Sequence, residues 1–214
     1  TITTVDGAMV KDSGIEANVG QYASLQVISG TPYIAYYDAT SLDLKFVKCG
    51  NDTCSSGNTI SLIDSTGDGG QYASLQVVSG TPYISYYDLT NTNLKFVKCG
   101  NDSCSSGNTI NTISDPDAAV GTYTSLQVIS SVPYISYYGT TNTDLKFVKC
   151  GNDTCSASNT ISQVDNTEDD GKYTSLQVVS AIPYISYGAV AGATSYSKFV
   201  KCGDDTCDNS PANT

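Results

Sequence analysis

The sequence predicts an all-β fold, a four-bladed β-propeller in which each blade is a four-stranded antiparallel sheet. The hexapeptide Tyr-x-Ser-Leu-Gln-Val begins at Tyr22 and returns at Tyr72, Tyr123 and Tyr173, so the 214-residue chain repeats every 50 or 51 residues. Such a period indicates a repeat architecture, in which neighbouring units bury a shared core. Thr, Ser, Tyr and Val are abundant while Met occurs once, a composition that favours strands over helices.

Each unit contains four strand-like runs that turn residues separate. Alternation along the second run of the second unit places tyrosines on one face and Ile84 and Tyr86 on the other. Both faces therefore need cover, as happens when sheets stack around an axis. An open superhelical stack of the same units is the alternative architecture. The four runs of the second unit are predicted at residues 72–78, 82–88, 94–99 and 109–113.

The chain ends supply a further strand. Residues 1–6, Thr-Ile-Thr-Thr-Val-Asp, match the fourth strand of other units, and the last unit stops where its own fourth strand should begin. We expect residues 1–6 to complete the last blade, either of the same chain or of a neighbouring subunit, which would remove an exposed sheet edge. The single repeat domain 1–214 then divides into a latch strand with linker at 1–20 and blades at 21–70, 71–121, 122–171 and 172–214.

All eight cysteines fall in four copies of Cys-x4-Cys, and we predict a disulfide within each copy. A short loop between antiparallel strands places two Cα atoms within the ~4.4–6.8 Å that a disulfide spans. A thiolate metal site is the alternative, but each pair lies on a different blade, so four ligands do not converge easily. Disulfides imply an extracellular or cell-surface location. The pairs are Cys49–Cys54, Cys99–Cys104, Cys150–Cys155 and Cys202–Cys207.

Three of these cysteine loops carry an Asn-x-Ser/Thr sequon. Asn51, Asn101 and Asn152 are candidate N-glycosylation sites, whereas the fourth loop has Asp204 instead. The loops should be exposed at the rim of the propeller. Duplication of one chance sequon in a chain rich in Asn and Thr is the alternative.

The connections between blades are acidic, and clustered carboxylates can bind Ca²⁺. The weak calcium candidates are Asp64, Asp68, Asp165 and Asp169. Their spacing matches no calcium loop and changes between repeats, so solvated, solubilising loops are the preferred interpretation. No other cofactor is expected.

Charge and composition exclude several functions. A net charge of −11 opposes binding to nucleic acid, and no apolar run is long enough to insert into a membrane. The chain contains no His and, since all ten basic residues are Lys, no Arg. No acidic pair is singled out from its copies in other blades, so the sequence predicts that the protein is not an enzyme.

The repeat unit Tyr-x-Ser-Leu-Gln-Val…Pro-Tyr-Ile-Ser-Tyr-Tyr-Asp…Leu-Lys-Phe-Val-Lys-Cys resembles the propeller-type repeats of large secreted or surface-anchored bacterial and archaeal proteins. The likeness covers nearly the whole chain and implies the architecture, but it supplies no catalytic residues. The motifs of WD40 and kelch propellers are missing, as is the Ser-x-Asp-x-Gly-x-x-Trp box of sialidases.

Two functions follow as hypotheses. The link at residues 7–20 is about eight residues longer than its counterparts, so residues 1–6 could reach a neighbouring molecule. This favours an extracellular structural protein that assembles with copies of itself, a filament subunit joined by N-terminal strand exchange. The alternative is a carbohydrate-binding, lectin-like module, because sixteen tyrosines together with Asn and Asp can recognise glycans. Packing of tyrosines such as Tyr33 in the core competes with that second hypothesis.

Overall fold

A computed structural model of the chain describes residues 2–7 and 17–208, and in that part every regular element is a β-strand. Fifteen strands form four antiparallel sheets, each with its strands in chain order. No helix in the described residues has the length and apolarity that crossing a membrane requires.

The four sheets are the predicted blades. Blade 1 comprises β1 (Val19–Ile28), β2 (Thr31–Asp38), β3 (Asp43–Lys48) and β4 (Thr59–Asp64). Blade 2 comprises β5 (Gly69–Val78), β6 (Thr81–Asp88), β7 (Asn93–Lys98) and β8 (Thr109–Thr112). Blade 3 comprises β9 (Val120–Ile129), β10 (Val132–Gly139), β11 (Asp144–Lys149) and β12 (Thr160–Asp165). Blade 4 comprises β13 (Asp169–Val179), β14 (Ile182–Ala191) and β15 (Thr194–Lys201).

The first strand of each blade begins earlier than predicted because it contains a bulge. In blade 2, β5 starts at Gly69 instead of Tyr72, and its pairing with β6 shifts register between Gln71 and Ser74. The second strand is covered on both faces, as its pattern predicted, since every residue of β6 after Thr81 is buried. These features recur in blade 3.

The hydrophobic core lies between the blades. Leu44 and Phe46 of blade 1 pack with Leu75, Ile84 and Val97 of blade 2 in one cluster of buried side chains. The same positions form the clusters between blades 2 and 3 and between blades 3 and 4. Each blade therefore buries its apolar faces against its neighbours.

A glycine in the first strand permits the close approach of successive blades. Gly121 has φ of +110°, and a Cβ atom placed there would lie 2.6 Å from the Cα atom of Leu94 in the preceding blade. Gly70 and Gly171 stand in the same relation to the preceding blades. At Gly20, in blade 1, a Cβ atom would have no neighbour within 4 Å among the described residues. In the described residues, no preceding blade therefore packs against blade 1 at this position.

The four predicted disulfides are confirmed, and in each the Cα atoms lie 4.8 Å apart. Each bond closes the loop that follows the third strand of a blade. Because one bond lies in every blade, the disulfides fix local loops and do not link one blade to another.

The N-terminal segment lies against blade 1. The Asp6 carboxylate accepts hydrogen bonds from the Tyr36 hydroxyl at 2.7 Å and from the Lys45 ammonium at 3.3 Å. Among the described residues, blade 4 has three strands, and residues 2–7 do not pair with β15. Completion of the last blade by the same chain, one of the two predicted arrangements, is therefore not found in the described residues.

Replacing Gly121 with Ala should destabilise the protein much more than replacing Gly20 with Ala. Both glycines have positive φ, so the two substitutions share the backbone strain, but only the new methyl group at 121 meets the backbone of another blade. We expect G121A to lower the free energy of unfolding by ~1–3 kcal/mol more than G20A. Urea unfolding at low protein concentration measures this difference, and equal effects of the two variants would contradict the blade contact.

Candidate functional site

Four tyrosines from the four first strands form one cluster, here called the inner tyrosine cluster: Tyr22, Tyr72, Tyr123 and Tyr173. Successive ring centroids lie 4.5, 4.6 and 4.5 Å apart. The rings and the residues that follow them line an open depression of 310 Å³. An aromatic depression with polar groups at its margin is the usual form of a small-molecule site.

The bulge in each first strand holds these rings in place. All four tyrosines have φ between 53° and 56°, the left-handed region that bulky residues rarely adopt. Such a conformation costs on the order of 1 kcal/mol or more per residue and is found mainly where function requires it. Its recurrence in every blade marks the cluster as a candidate site.

Further tyrosines from the second strands support the cluster. Tyr37, Tyr87 and Tyr138 lie 6.2, 6.4 and 6.2 Å, centroid to centroid, from the inner tyrosine of the same blade. Blade 4 has Gly188 at this position. Tyr173 is accordingly 73 % exposed, which makes it the most accessible tyrosine of the cluster.

Two carboxylates stand beside the cluster. Asp68 accepts a hydrogen bond from the Tyr37 hydroxyl, and Asp169 accepts one from the Tyr138 hydroxyl, each at 2.8 Å. Burial, followed by the bond to Asp68, raises the pKa of Tyr37 to about 12, so the phenol remains a donor. The corresponding position between blades 2 and 3 is Ala119, so the acid is present at alternate junctions only.

Lys172 gives blade 4 a cation at the same site. Its ammonium lies 2.5 Å from an Asp169 oxygen and 5.3 Å from the centroid of the Tyr138 ring. Burial by itself would raise the pKa of Asp169, but the bonds from Lys172 and Tyr138 outweigh it and lower that pKa. Asp169 therefore remains ionised at neutral pH.

A second recurring arrangement, the Asp–Tyr–Lys contact, joins one blade to the next. Asp64 at the end of β4 accepts hydrogen bonds from Tyr86 at 2.7 Å and from Lys95 at 2.8 Å, both in blade 2. Asp115 and Asp165 make the equivalent contacts with the tyrosine and lysine of blades 3 and 4. Each of these carboxylates therefore accepts hydrogen bonds from side chains of the protein itself.

The four calcium candidates are thus all placed. Asp64 and Asp165 belong to Asp–Tyr–Lys contacts, whereas Asp68 and Asp169 border the inner tyrosine cluster. Within the described ranges, no three acidic, cysteine or histidine side chains come together as a metal-ligand set.

The sequon asparagines organise the cysteine loops. The Asn51 carbonyl oxygen accepts bonds from the Thr53 hydroxyl and the Ser55 amide, each at 3.0 Å, and its Nδ2 donates to Ser55 and Ser56. Asn101 and Asn152 make corresponding contacts. Asp204 accepts the equivalent bonds from Thr206 in the fourth loop, which explains why Asp can replace Asn there. Glycosylation of the three asparagines stays a prediction.

The inner tyrosine cluster was not predicted from the sequence. The tyrosines weighed for sugar binding were Tyr33, Tyr83, Tyr134 and Tyr184, for which core packing was preferred. The first three are buried between blades, whereas Tyr184 in blade 4 is only half-buried. The inner tyrosines served only as markers of the repeat. The available signal was the glycine two residues before each of them, which accompanies a bulge.

The arrangement defines a β-propeller with an aromatic site at its innermost strands. Solved structures similar to the chain include a family 43 endo-arabinanase from Bacillus licheniformis, with a TM-score of 0.55, 12 % identity and coverage of 92 % of this chain and 77 % of that one. An α-L-arabinofuranosidase from Podospora anserina has a TM-score of 0.55 and 11 % identity, with coverage of 94 % of this chain and 69 % of that one. An exo-β-1,3-galactanase from Phanerochaete chrysosporium has the same TM-score and identity, with coverage of 95 % of this chain and 51 % of that one. No protein-family profile and no curated protein sequence matches the chain.

At this identity the likeness shows the propeller fold, and it also corrects one prediction. The propellers that this chain resembles are glycoside hydrolases, and this finding contradicts the prediction that the protein is not an enzyme. That prediction rested on the absence of an acidic pair that is singled out from its copies in other blades. Asp68 and Asp169 are singled out in this way, since Asn18 and Ala119 occupy the other two equivalent positions.

Replacing Asp165 with Asn should reduce stability and flatten its dependence on acid pH. Burial would raise the pKa of Asp165, but bonds from Tyr187, Thr167 and Lys198 lower it to about 2. Its stabilisation is therefore complete above the unfolded-state pKa of ~4 and is lost as the pH falls toward ~2. We expect D165N to cost ~1–2 kcal/mol at pH 7, where the carboxylate is ionised in both states.

Urea unfolding between pH 7 and pH 2 measures this effect. The wild-type and D165N curves should converge at the acid end. D153N is the control, since Asp153 forms a more exposed pair with Lys98, and such pairs contribute ~0–1 kcal/mol. A constant offset between the wild-type and D165N curves down to pH 2 would refute the assignment.

Proposed function

We propose that the protein is a carbohydrate-binding β-propeller whose ligand packs against the inner tyrosine cluster. The observation that carries the proposal is the strained backbone that turns four tyrosine rings into one open depression. Aromatic faces pack against the apolar faces of sugar rings, and the polar margin selects hydroxyl groups. The fold shared with arabinanases and a galactanase supports the same class of ligand.

The margin of the cluster supplies that hydrogen bonding. The Asp68 carboxylate is a hydrogen-bond acceptor, and the Gln71 Nε2 atom lies 3.3 Å from its Oδ1 atom. In blade 4, the Lys172 ammonium is a donor. Neutral sugars suit this mixture better than acidic ones, because the chain carries a net charge of −11. We place the protein outside the cell or at its surface, because its four disulfides need an oxidising compartment.

Hydrolysis of the bound carbohydrate is a second candidate function. Glycoside hydrolysis requires two carboxyl groups that flank the sugar, and Asp68 and Asp169 flank the cluster in blades 2 and 4. The lowered pKa of Asp169 suits a base or nucleophile better than a general acid. Hydrolysis is supported if the wild-type protein releases reducing ends from arabinan and if D68N and D169N each abolish this release. If the wild-type protein releases no reducing ends, carbohydrate binding without hydrolysis is the proposed function that remains.

Replacing Tyr173 with Ala should weaken carbohydrate binding without loss of stability. Tyr173 offers the most exposed ring of the cluster, so its removal deletes stacking area and leaves the blade junctions intact. With linear arabinan, β-1,3-galactan and cello-oligosaccharides as probes, we expect at least about tenfold weaker binding, equal to ~1.4 kcal/mol, to whichever glycan wild type binds. Isothermal titration calorimetry measures this.

Two variants sharpen the test. Y173F keeps the aromatic face and should bind nearly as well as wild type. Y196A removes an exposed tyrosine of β15 outside the cluster and should bind normally. Absence of glycan binding by wild type, or equal losses in Y173A and Y196A, would argue against the site.

A further inference from the structure

The two ends of the blade array expose the two halves of the surface that each internal junction buries. Leu75, Leu126 and Leu176 are 1–2 % exposed, whereas their counterpart in blade 1, Leu25, is 60 % exposed. Phe46, Phe96 and Phe147 are fully buried, whereas Phe199 in blade 4 is 62 % exposed. We call the free side of blade 1, with Leu25 and Val27, the entry face, and that of blade 4, with Phe199 and Tyr184, the exit face.

Hydrogen bonds between blades follow the same series. The amide of Leu75 donates to the hydroxyl of Ser24 in the preceding blade at 3.0 Å. Leu126 and Leu176 donate to the preceding serine at the same distance. One further step in the series would pair the Leu25 amide of the entry face with Ser175 of the exit face.

Ion pairs between blades also leave one unmatched partner at each end. Lys48, Lys98 and Lys149 each bind an aspartate in the cysteine loop of the next blade: Asp102, Asp153 and Asp205. The next lysine is Lys201 on blade 4, and the corresponding aspartate is Asp52 on blade 1. Neither forms an ion pair with any other described residue. Opposite charges thus stand at matching positions of the two free faces.

The N-terminal segment already occupies the place of a preceding fourth strand. Asp6 contacts Tyr36 and Lys45 of blade 1 just as Asp64 contacts Tyr86 and Lys95 of blade 2. The strand that Asp64 ends is paired with β3, but residues 2–7 have no such partner in the described part of the chain. A sheet without a fourth strand fits beside them, and blade 4, as far as the chain is described, is such a sheet.

We propose that the exit face of one chain packs on the entry face of a second copy of the same chain, whose N-terminal segment completes blade 4 of the first. The register follows β3 and β4, where Val47 pairs with Ile60 and Phe46 with Ser61. Val200 would accordingly pair with Ile2, and Phe199 with Thr3. Because the two faces differ, the contact is head-to-tail and generates longer assemblies unless the rotation closes a ring.

The occupant is a second copy because the complement of each face is found on this chain itself. Within one chain the two faces are both exposed while Asp6 already holds its place on blade 1. The chain's own blade 4 therefore does not cover the entry face.

The test uses L25D and F199D, which block the entry and the exit face respectively at residues that are exposed in the single chain. Multi-angle light scattering of the full chain should show concentration-dependent assemblies for wild type and monomers for each variant alone. An equimolar mixture should stop at a one-to-one heterodimer, because L25D retains its exit face and F199D its entry face. This outcome requires head-to-tail contact.

Matched variants exclude general effects of charge and folding. L89D changes an exposed leucine away from both faces and should assemble as wild type does. K201E and D52K should each weaken association about two- to fivefold, and one chain carrying both changes should recover. A wild-type monomer at all concentrations, or a mixture of L25D and F199D that stays monomeric although both variants are folded by circular dichroism, would overturn the proposal. Glycan binding by such a monomer would leave the proposed function intact.

Discussion

The whole structure depends on the packing of each blade against the next, because no blade completes a core alone. Tyr33, Leu44 and Phe46 of blade 1 are buried in a cluster to which blade 2 contributes side chains. Gly70 brings the two backbones together so that these side chains interlock. Stability in such an array is approximately the sum of the intrinsic stabilities of the repeats and of their nearest-neighbour junctions, so a free end leaves apolar surface uncovered. The first and last described blades therefore each expose apolar surface of the kind that the internal junctions bury.

The lysine at each junction is buried or half-buried, and carboxylates of the acidic connections neutralise it. Lys146 is 4 % exposed and contacts Asp115 and Asp117. The corresponding lysines find their second carboxylate elsewhere, in Asp38 for Lys45 and in Asp170 for Lys198. A buried ammonium without such partners would be strongly destabilising. The acidic segments vary between repeats because different positions can supply the same charge, a variation that appeared from the sequence to mark solvated loops.

Much of the fold was predictable because the repeat exposes its own periodicity. The blades, the turns and the disulfides follow from spacings of one motif, and both covered faces of β6 follow from its alternation. The bulge was not predictable from that pattern, because it shifts Tyr72 into a left-handed conformation that aromatic residues seldom adopt. The roles of Asp68 and Asp169 depend on contacts between blades, which sequence separation conceals.

The candidate site and the free ends are physically connected. Tyr22 and Tyr173 are the terminal members of the inner tyrosine cluster, and they belong to the two blades that carry the entry and exit faces. Tyr173 is exposed because blade 4 has Gly188 where other blades have a supporting tyrosine, and because no other described blade packs beyond it. If blade 1 of a second copy packed on blade 4 as neighbouring blades pack within the chain, Tyr22 of that copy would lie beside Tyr173. Assembly would then lengthen the aromatic surface, so the number of joined copies would set how many sugar units one continuous site can contact.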